Sequence, residues 1–548
     1  MRRIVALTVL SFFLSSTVQS WSEENVDLQM LTRIRQEGFG NSKVMEILSR
    51  LCDEIGPRLT GSPNMRKANE WARKQLEDWG LTNAHLEAWG PYRRGWSMDR
   101  VSGHMISPDY APLVVFPKAW TPSLKGPVRA KVMKVKLESE ADFANYKGKL
   151  AGRILLLSPI EEIKPQDKPN MTRLSDQQLD QIFHYSPPPP SNKQEARAEN
   201  IKKRNFERAL LQFLAEEKAV AVVEPGRGSG GMLIVSWRHY YRPDEPVGVS
   251  SLVMATEQYN RIMRLLDLNV EVELELDVRN TFYEQDLMSY NTLAEIPGTD
   301  RKGEVVMLGA HLDSWHVGTG ATDNGAGAAV CMEVTRILKA LKVNPRRTIR
   351  IALWSGEEQG LKGSRAYVSQ HFGSRPEPSD PEEKDLPNDQ QENQGPLSLK
   401  PEHSKLSVYF NFDNGSGKIR GIFLQGNAAA RPIFEEWLKP FADLGVTTVS
   451  IRDTFGTDHL SFDAVGLPGF QFVQDGLEYG RTHHSNIDVV DYVQPDDLMQ
   501  ASVVIASLVF QAAILDEMMP RKPLPPDRLD GEKKPVTVNV SDQPAEAQ

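Results

Sequence analysis

Cysteine is nearly absent: the 548 residues contain two, Cys52 and Cys331, far apart in the chain. The fold is therefore not a disulfide scaffold. The pair could join in an oxidising compartment, but Cys331 stands in a helical apolar pattern where a buried free thiol is at least as natural. Positive charge is also short, with 64 Lys+Arg against 73 Asp+Glu and a formal net charge of -9. No Lys/Arg stripe stands out that would neutralise phosphates, which argues against a nucleic-acid binder. Long apolar runs are missing after the first twenty residues, so no stable membrane span is expected.

Those first residues differ from the rest. Met1-Arg2-Arg3 is followed by the apolar "IVALTVLSFFL" and then by small and polar residues. This is the layout of a signal peptide over residues 1–20, and it predicts a secreted or periplasmic chain. The length exceeds what one ordinary core accommodates, so at least two packed units are expected.

From about residue 24 to 82 apolar residues recur at helical spacing, interrupted by the turn-rich "GPRLTGSP". Residues 21–125 are read as the first part of a larger domain. Between 126 and 277 the texture changes to short β-branched runs such as "RAKVMKV", "RILLL" and "VEVELELDV". They predict a small inserted β-rich domain. A polar, proline-rich stretch over 163–203 interrupts it and reads as a surface excursion, with a weak glycosylation pattern at Asn170. A similar insertion spans 374–404, and a disordered tail is expected over 520–548.

Residues 278–519 alternate strand-like and helix-like segments. "EVVMLGA", "TIRIALWS", "LSVYFNFD" and "GFQFV" read as buried strands, and the segment after Gly327 places apolar residues at 330, 334, 337, 338 and 341 on one helical face. The pattern predicts an α/β fold: a three-layer α/β/α domain with a mostly parallel mixed sheet, plus the small β-rich unit. In such sheets functional groups gather beyond the carboxyl ends of the strands.

The strand ends carry chemistry-bearing residues. "EVVMLGA" runs out at His311 and Asp313, "TIRIALWS" at Glu357 and Glu358, "LSVYFNF" at Asp413, and "GFQFV" is followed by His483 and His484. Each has a bland reading alone: Asp323 caps a helix, and Glu357 with Glu358 sits in a first helical turn. Their convergence favours a cation, because clustered carboxylates repel one another unless one lies among them. Imidazole with carboxylate favours zinc or a similar divalent ion. Adjacent glutamates suit a hydrolase in which one binds metal and the other moves a proton.

The segments "GPRLTGS", "HLDSWHVGTGATDNGAG", "RTIRIALWSGEEQGLKGSRAY", "NFDNGSG", "FGTDHLSFDAVGLPGF" and "THHSNID" together resemble peptidase family M28, the di-zinc aminopeptidases and carboxypeptidases. Within the family the carboxypeptidase branch is most similar. The inserted unit corresponds in position to the protease-associated domain such peptidases often carry. The resemblance implies two zinc ions per chain held by His311, Asp323, Glu358, Asp413 and His484. Asp323 would bridge them, with His311 and Asp413 on one ion and Glu358 and His484 on the other. Glu357 would be the general base, and the carboxylate of Asp313 would orient the ligand histidine. His484 is favoured over His483 because the family's histidine stands four residues before an acid, here Asp488. No role carries over to His316, which reads as a loop residue at the cleft.

The implied reaction is hydrolysis of small peptides or dipeptides by metal-activated water. Asp458 is a candidate to hold a free amine and Arg481 a free carboxylate. A homodimer is the candidate assembly. The alternatives are an aminopeptidase of the same family, a single-zinc aminoacyl cyclase on the same scaffold, and a binding protein that has lost the chemistry. The last predicts missing ligands, whereas all are present.

Overall fold

Strand-length apolar runs assemble into two eight-stranded sheets in the computed structural model of the chain, which describes residues 26–186, 193–235, 247–376 and 395–525. The signal-peptide segment 1–20 lies outside the described residues. The larger sheet runs, in spatial order, Thr82–Trp89, Ser289–Ile296, Arg347–Trp354, Arg301–His311, Leu406–Asn411, Gly469–Gln474, Ile419–Phe423, Thr448–Ser450. Its four middle strands, Arg347–Trp354 through Gly469–Gln474, are mutually parallel. Antiparallel pairings flank them on both sides.

These strands are largely apolar because both faces are covered. Val306 and Leu308 enter one core with the helices Ala326–Ala340 and Pro495–Ile514, while the intervening Met307 packs oppositely with Tyr367, Tyr409 and Phe462. Helices on both faces make the three-layer α/β fold expected. The anticipated face at Val330, Val334, Ile337 and Leu338 is buried, and Leu341 packs partly against it. The helix Pro495–Ile514 has the length and apolar composition of a membrane span, but it lies inside the molecule. It is apolar around most of its circumference because neighbours surround it.

Register brings the strand ends level. His311 stands opposite Trp354 and Gly309 opposite Asn411, while Phe410 pairs with Phe470. Residues just past these positions therefore share one rim.

The second sheet runs Ala111–Leu113, Gly95–Ser107, Glu273–Tyr283, Val128–Lys134, Ile154–Leu156, Ala221–Pro225, Ser250–Met254, Val115–Pro117. It thus begins at Gly95, earlier than the boundary at 126. The strand Gly95–Ser107 pairs with Glu273–Tyr283 along its length, although exposed polar residues break its apolar alternation.

Parts of the stretch 163–203 are helical. It contains the helix Asp176–Phe183 and the start of Lys193–Glu216. Leu179 of the first helix packs with Phe423 and Val473 of the larger sheet. The insertion 374–404 is described only at its ends, where Gly373–Ser374 pairs with Ser398–Leu399. Of the expected tail, residues 520–525 pack on the larger domain: Arg521 donates to the carbonyls of His403 and Leu406. The remainder lies outside the described residues. Cys52 and Cys331 are both buried and free.

Candidate metal centre

The level strand ends deliver His311, Glu357, Glu358 and Asp413 to one place, and two loops add Asp323 and His484. His311 ends its strand, and its Nδ1 stands 2.9 Å from the backbone carbonyl of Asp313. With Nδ1–H donated to that carbonyl, Nε2 is left facing inward, 3.3 Å from Asp323 Oδ1 and 3.4 Å from Asp413 Oδ1. Across the cluster, His484 Nε2 is 3.2 Å from Asp323 Oδ2 and 2.8 Å from Glu358 Oε2. Asp323 therefore turns one carboxylate oxygen to each histidine.

These spacings suit a cation. Ligands of a tetrahedral zinc at ~2.0–2.2 Å stand about 3.3–3.6 Å apart. His311 Nε2, Asp323 Oδ2 and Glu358 Oε1 are buried with no hydrogen-bond partner. Orphaned buried donor atoms of this kind are costly, and a metal ion would satisfy them. The residues present therefore fit the group that the sequence implies.

Electrostatics agree. Burial disfavours a charged imidazole at His311, yet the carboxylates of Asp413 and Glu357 outweigh it and hold the ring well above its usual value. Burial likewise opposes charge at His484, but Glu358 and Asp323 raise it to about 11. Asp323 shows the complement: burial would raise it, while the imidazoles of His311 and His484 beside it hold it well below the usual carboxylate range. Burial, then the charge of Asp323, pushes Glu358 to about 7. Metal-free, the cluster holds protons where cations would lie.

Glu357 occupies a different position from Glu358. Its Oε2 lies 4.0 Å from His311 Nε2. Burial raises it well above the usual range, and Asp413, Asp458 and Glu358 add to that against the opposing charge of His311.

Asp313 is completely buried, but its carboxylate is not the closest partner of His311: Oδ1 stands 3.6 Å from Nδ1, beyond the backbone carbonyl. Instead it takes the hydroxyl of Thr60 at 2.9 Å and the N–H groups of Glu357 and Glu358, both at 3.3 Å. At His311 Nδ1 the carbonyl is thus nearest and the Asp313 carboxylate next, and the carboxylate also fixes the glutamate turn.

His483 is nearly half exposed and stacks on His484 at 3.7 Å, with its Nε2 3.6 Å from Asp323 Oδ2. His484 is nearer and has φ +56°, a conformation uncommon outside glycine. His316 is not a cleft loop residue. It is buried, donates from Nε2 to the carbonyl of Pro117 at 2.8 Å, and meets Trp96 edge-on at 4.9 Å. Both partners belong to the second sheet's strands, so His316 links the loop after His311 to the second sheet.

Asp458 is fully buried and neither carboxylate oxygen has a hydrogen-bond partner. It is enclosed rather than open to a substrate end, and burial pushes it to about 7. Arg481 is partly exposed and ion-paired to Glu478.

Several residues around the centre carry no signal that periodicity could read. Arg58, from "GPRLTGS", is completely buried. Its guanidinium donates to the carbonyls of Leu312 at 2.7 Å, Thr319 at 2.8 Å and Gly320 at 2.8 Å. It thereby fixes the loop between His311 and Asp323. Asp488 accepts from Thr322 N at 2.6 Å and from Asp323 N at 3.2 Å, and burial pushes it to about 7.

The same region matches known proteins. Residues 291–509 match peptidase family M28. Carboxypeptidase Q from Mus musculus and from Homo sapiens are each 25% identical over 487 residues, covering 88% of this chain and 88% of theirs. Among solved structures, a peptidase M28 precursor from Shewanella amazonensis superposes with TM-score 0.63 at 24% identity, covering 92% of this chain and all of that one (100%). A zinc aminopeptidase from Bacillus subtilis gives TM-score 0.52 at 18% identity, covering 86% of this chain and 95% of that one. The buried cluster of two imidazoles and three carboxylates at the strand ends lies wholly within residues 291–509, the part of the chain that matches peptidase family M28.

Proposed function

We propose that the chain is an exported di-zinc peptidase that removes terminal residues from small peptides or dipeptides in the manner of carboxypeptidase Q. The observation that carries this reading is the placement of Asp323, with Oδ1 3.3 Å from His311 Nε2 and Oδ2 3.2 Å from His484 Nε2. That arrangement gives two ligand sets sharing one carboxylate: His311 with Asp413, and Glu358 with His484. Bound zinc supplies a Lewis acid that polarises the scissile carbonyl and makes water acidic enough to attack near neutral pH.

The protein's own part is positioning and proton transfer. Glu357 lies beside the ligand set without making its closest contacts, and its elevated proton affinity suits a group that takes a proton from attacking water. It then returns that proton to the leaving amine. Asp313 holds Glu357 and Glu358 in register by accepting both their N–H groups. The signal-like first twenty residues support export, and the hydrolysed bond lies in a peptide small enough to reach a recessed centre.

A second reading, aminopeptidase action, is favoured by one observation: a curated relative named simply an aminopeptidase, from Pseudomonas aeruginosa, is 29% identical over 245 residues. Purified mature chain should be assayed on dipeptides with either end blocked, with zinc measured alongside. Cleavage that survives amine blocking but not carboxylate blocking supports the carboxypeptidase reading; the converse supports the aminopeptidase. Glu357→Gln should abolish turnover while retaining zinc, and normal turnover in that variant removes Glu357 from the role of base.

A further inference from the structure

The loop that delivers His484 is held in part from outside its own domain. It leaves the strand Gly469–Gln474 at Asp475 and returns to the larger domain at Asp488. Between these points it makes two bridges to the chain of the small domain, Thr172 with Leu477 and Ile234 with Ser485.

The first bridge is fastened by charge. Thr172 and Leu477 exchange backbone hydrogen bonds at 3.0 and 2.8 Å. Next to it, Arg173 Nη1 stands 2.8 Å from Asp475 Oδ2 and 2.8 Å from Asp497 Oδ2, both acids being almost completely buried. Asp475 Oδ1 also accepts from Leu174 N at 3.0 Å and from Arg420 at 3.0 Å. A carboxylate with several donors and a bidentate arginine is a strong anchor.

The second bridge grips the ligand itself. Val235 N donates to the carbonyl of His484 at 3.1 Å, and Asn486 N donates to Leu233 O at 3.1 Å. The Asn486 side chain accepts from Leu233 N at 2.9 Å and donates to Gly231 O at 3.3 Å. His484 holds a left-handed φ of +56°, which persists only where the surroundings over-determine it. By contrast, His311 and Asp413 sit at the ends of core strands and need no such help.

We infer that the small domain is a positioning element of the metal centre, acting on its His484 side through the clasp at 172–173 and the strand-like contact at 231–235. Docking of the two domains then sets how tightly the His484–Glu358 half holds its ion, while His311 and Asp413 are placed by core strands of the larger sheet. The inference rests on the two-ion reading above. Positioning contacts of this kind change metal affinity by about 10–100-fold when removed.

The test uses full-length mature protein loaded with zinc, in wild type, Arg173→Ala, Asn486→Ala and the double variant. Arg261→Ala, which removes only the exposed pair with Asp109 on the small domain, is the control. Zinc retained per chain is measured across a chelator series, and amide exchange is followed over residues 475–488. The clasp variants should release one ion at ~10-fold lower chelator concentration or below, with the second ion released as in wild type. Their amides at 484–486 should exchange faster. Faster exchange with unchanged release of both ions overturns the inference alone. Equal weakening of both ions also overturns it, and a wild-type chain that holds no zinc overturns the two-ion reading with it.

Discussion

The hydroxyl of Thr60 donates to Asp313 Oδ2 at 2.9 Å and accepts from the N–H of Gly356 at 3.0 Å. One side chain from the N-terminal segment thus ties the acid beside His311 to the turn that presents Glu357 and Glu358. Thr60→Val removes both bonds while keeping the shape, so the buried Asp313 carboxylate loses a donor. Turnover per unit substrate should fall by ~10–100-fold, the range for contacts that orient metal-site groups. Thr60→Ser should restore it. Kinetic constants of the pair decide the matter, and normal turnover in Thr60→Val beside a loss in Thr60→Ser would mean that the methyl group, not the hydroxyl, matters.

Arg58 is a buried cation whose partners are backbone carbonyls of the loop between two site residues. Arg58→Met leaves the carbonyls of Leu312, Thr319 and Gly320 without donors. Hydrogen bonds to charged groups contribute about 1.5–3 kcal/mol each. With partial relaxation, a loss of at least ~3 kcal/mol is expected from denaturant unfolding. Zinc retention should fall in the same variant, because the loop between His311 and Asp323 is freed. A stability change under ~1 kcal/mol would show that water replaces the guanidinium at no cost.

How far the sequence reveals these arrangements follows from where the supporting contacts lie. His311, the Glu357–Glu358 pair and Asp413 are legible because apolar runs such as "EVVMLGA" end where they begin, and parallel strands end at a common rim. Asp323 and His484 needed family resemblance, since each stands on a loop whose position no periodicity sets. Arg58 and Thr60 stand in "GPRLTGS", which local chemistry marks only as a turn; their contacts are more than two hundred residues away. A boundary at 126 misses the strand Gly95–Ser107 for a similar reason. The strand Gly95–Ser107 exposes Asp99 and Arg100 mid-strand, so its apolar alternation fails although its backbone pairs on both sides of a register shift there.

His316 carries an acid-sensitive contact between the two domains. Burial lowers its pKa from 6.5 to about 4, so the folded state keeps the ring neutral where the unfolded chain binds a proton. The sign follows: nothing is lost above pH 6.5, stability declines as pH falls below it, and the loss is complete near pH 4. A shift of this size corresponds to about 3 kcal/mol. His316→Gln keeps a donor for the Pro117 carbonyl but cannot titrate. Unfolding free energies at pH 7 and pH 4 should therefore differ more in wild type than in the variant, by about that amount. Parallel declines in the two proteins would assign the acid sensitivity elsewhere.

Zinc binding should release protons. In the metal-free centre the carboxylates of Asp413 and Glu357 hold His311 protonated well above its usual range, and Glu358 with Asp323 raises His484 to about 11. Both rings must give up a proton to bind an ion, because only the neutral imidazole is a ligand. Glu358, raised to about 7, is partly protonated at neutral pH and adds a fraction more. Titration calorimetry of the chelator-treated protein at pH 7, in buffers of different ionisation enthalpy, reads the number directly. More than one proton per chain is expected on zinc uptake. His484→Ala should lower the count by about one, because the remaining ring, His311, still discharges its own. A heat of binding independent of buffer would mean that the imidazoles are already neutral, and that the carboxylates around them are held by something other than their protons.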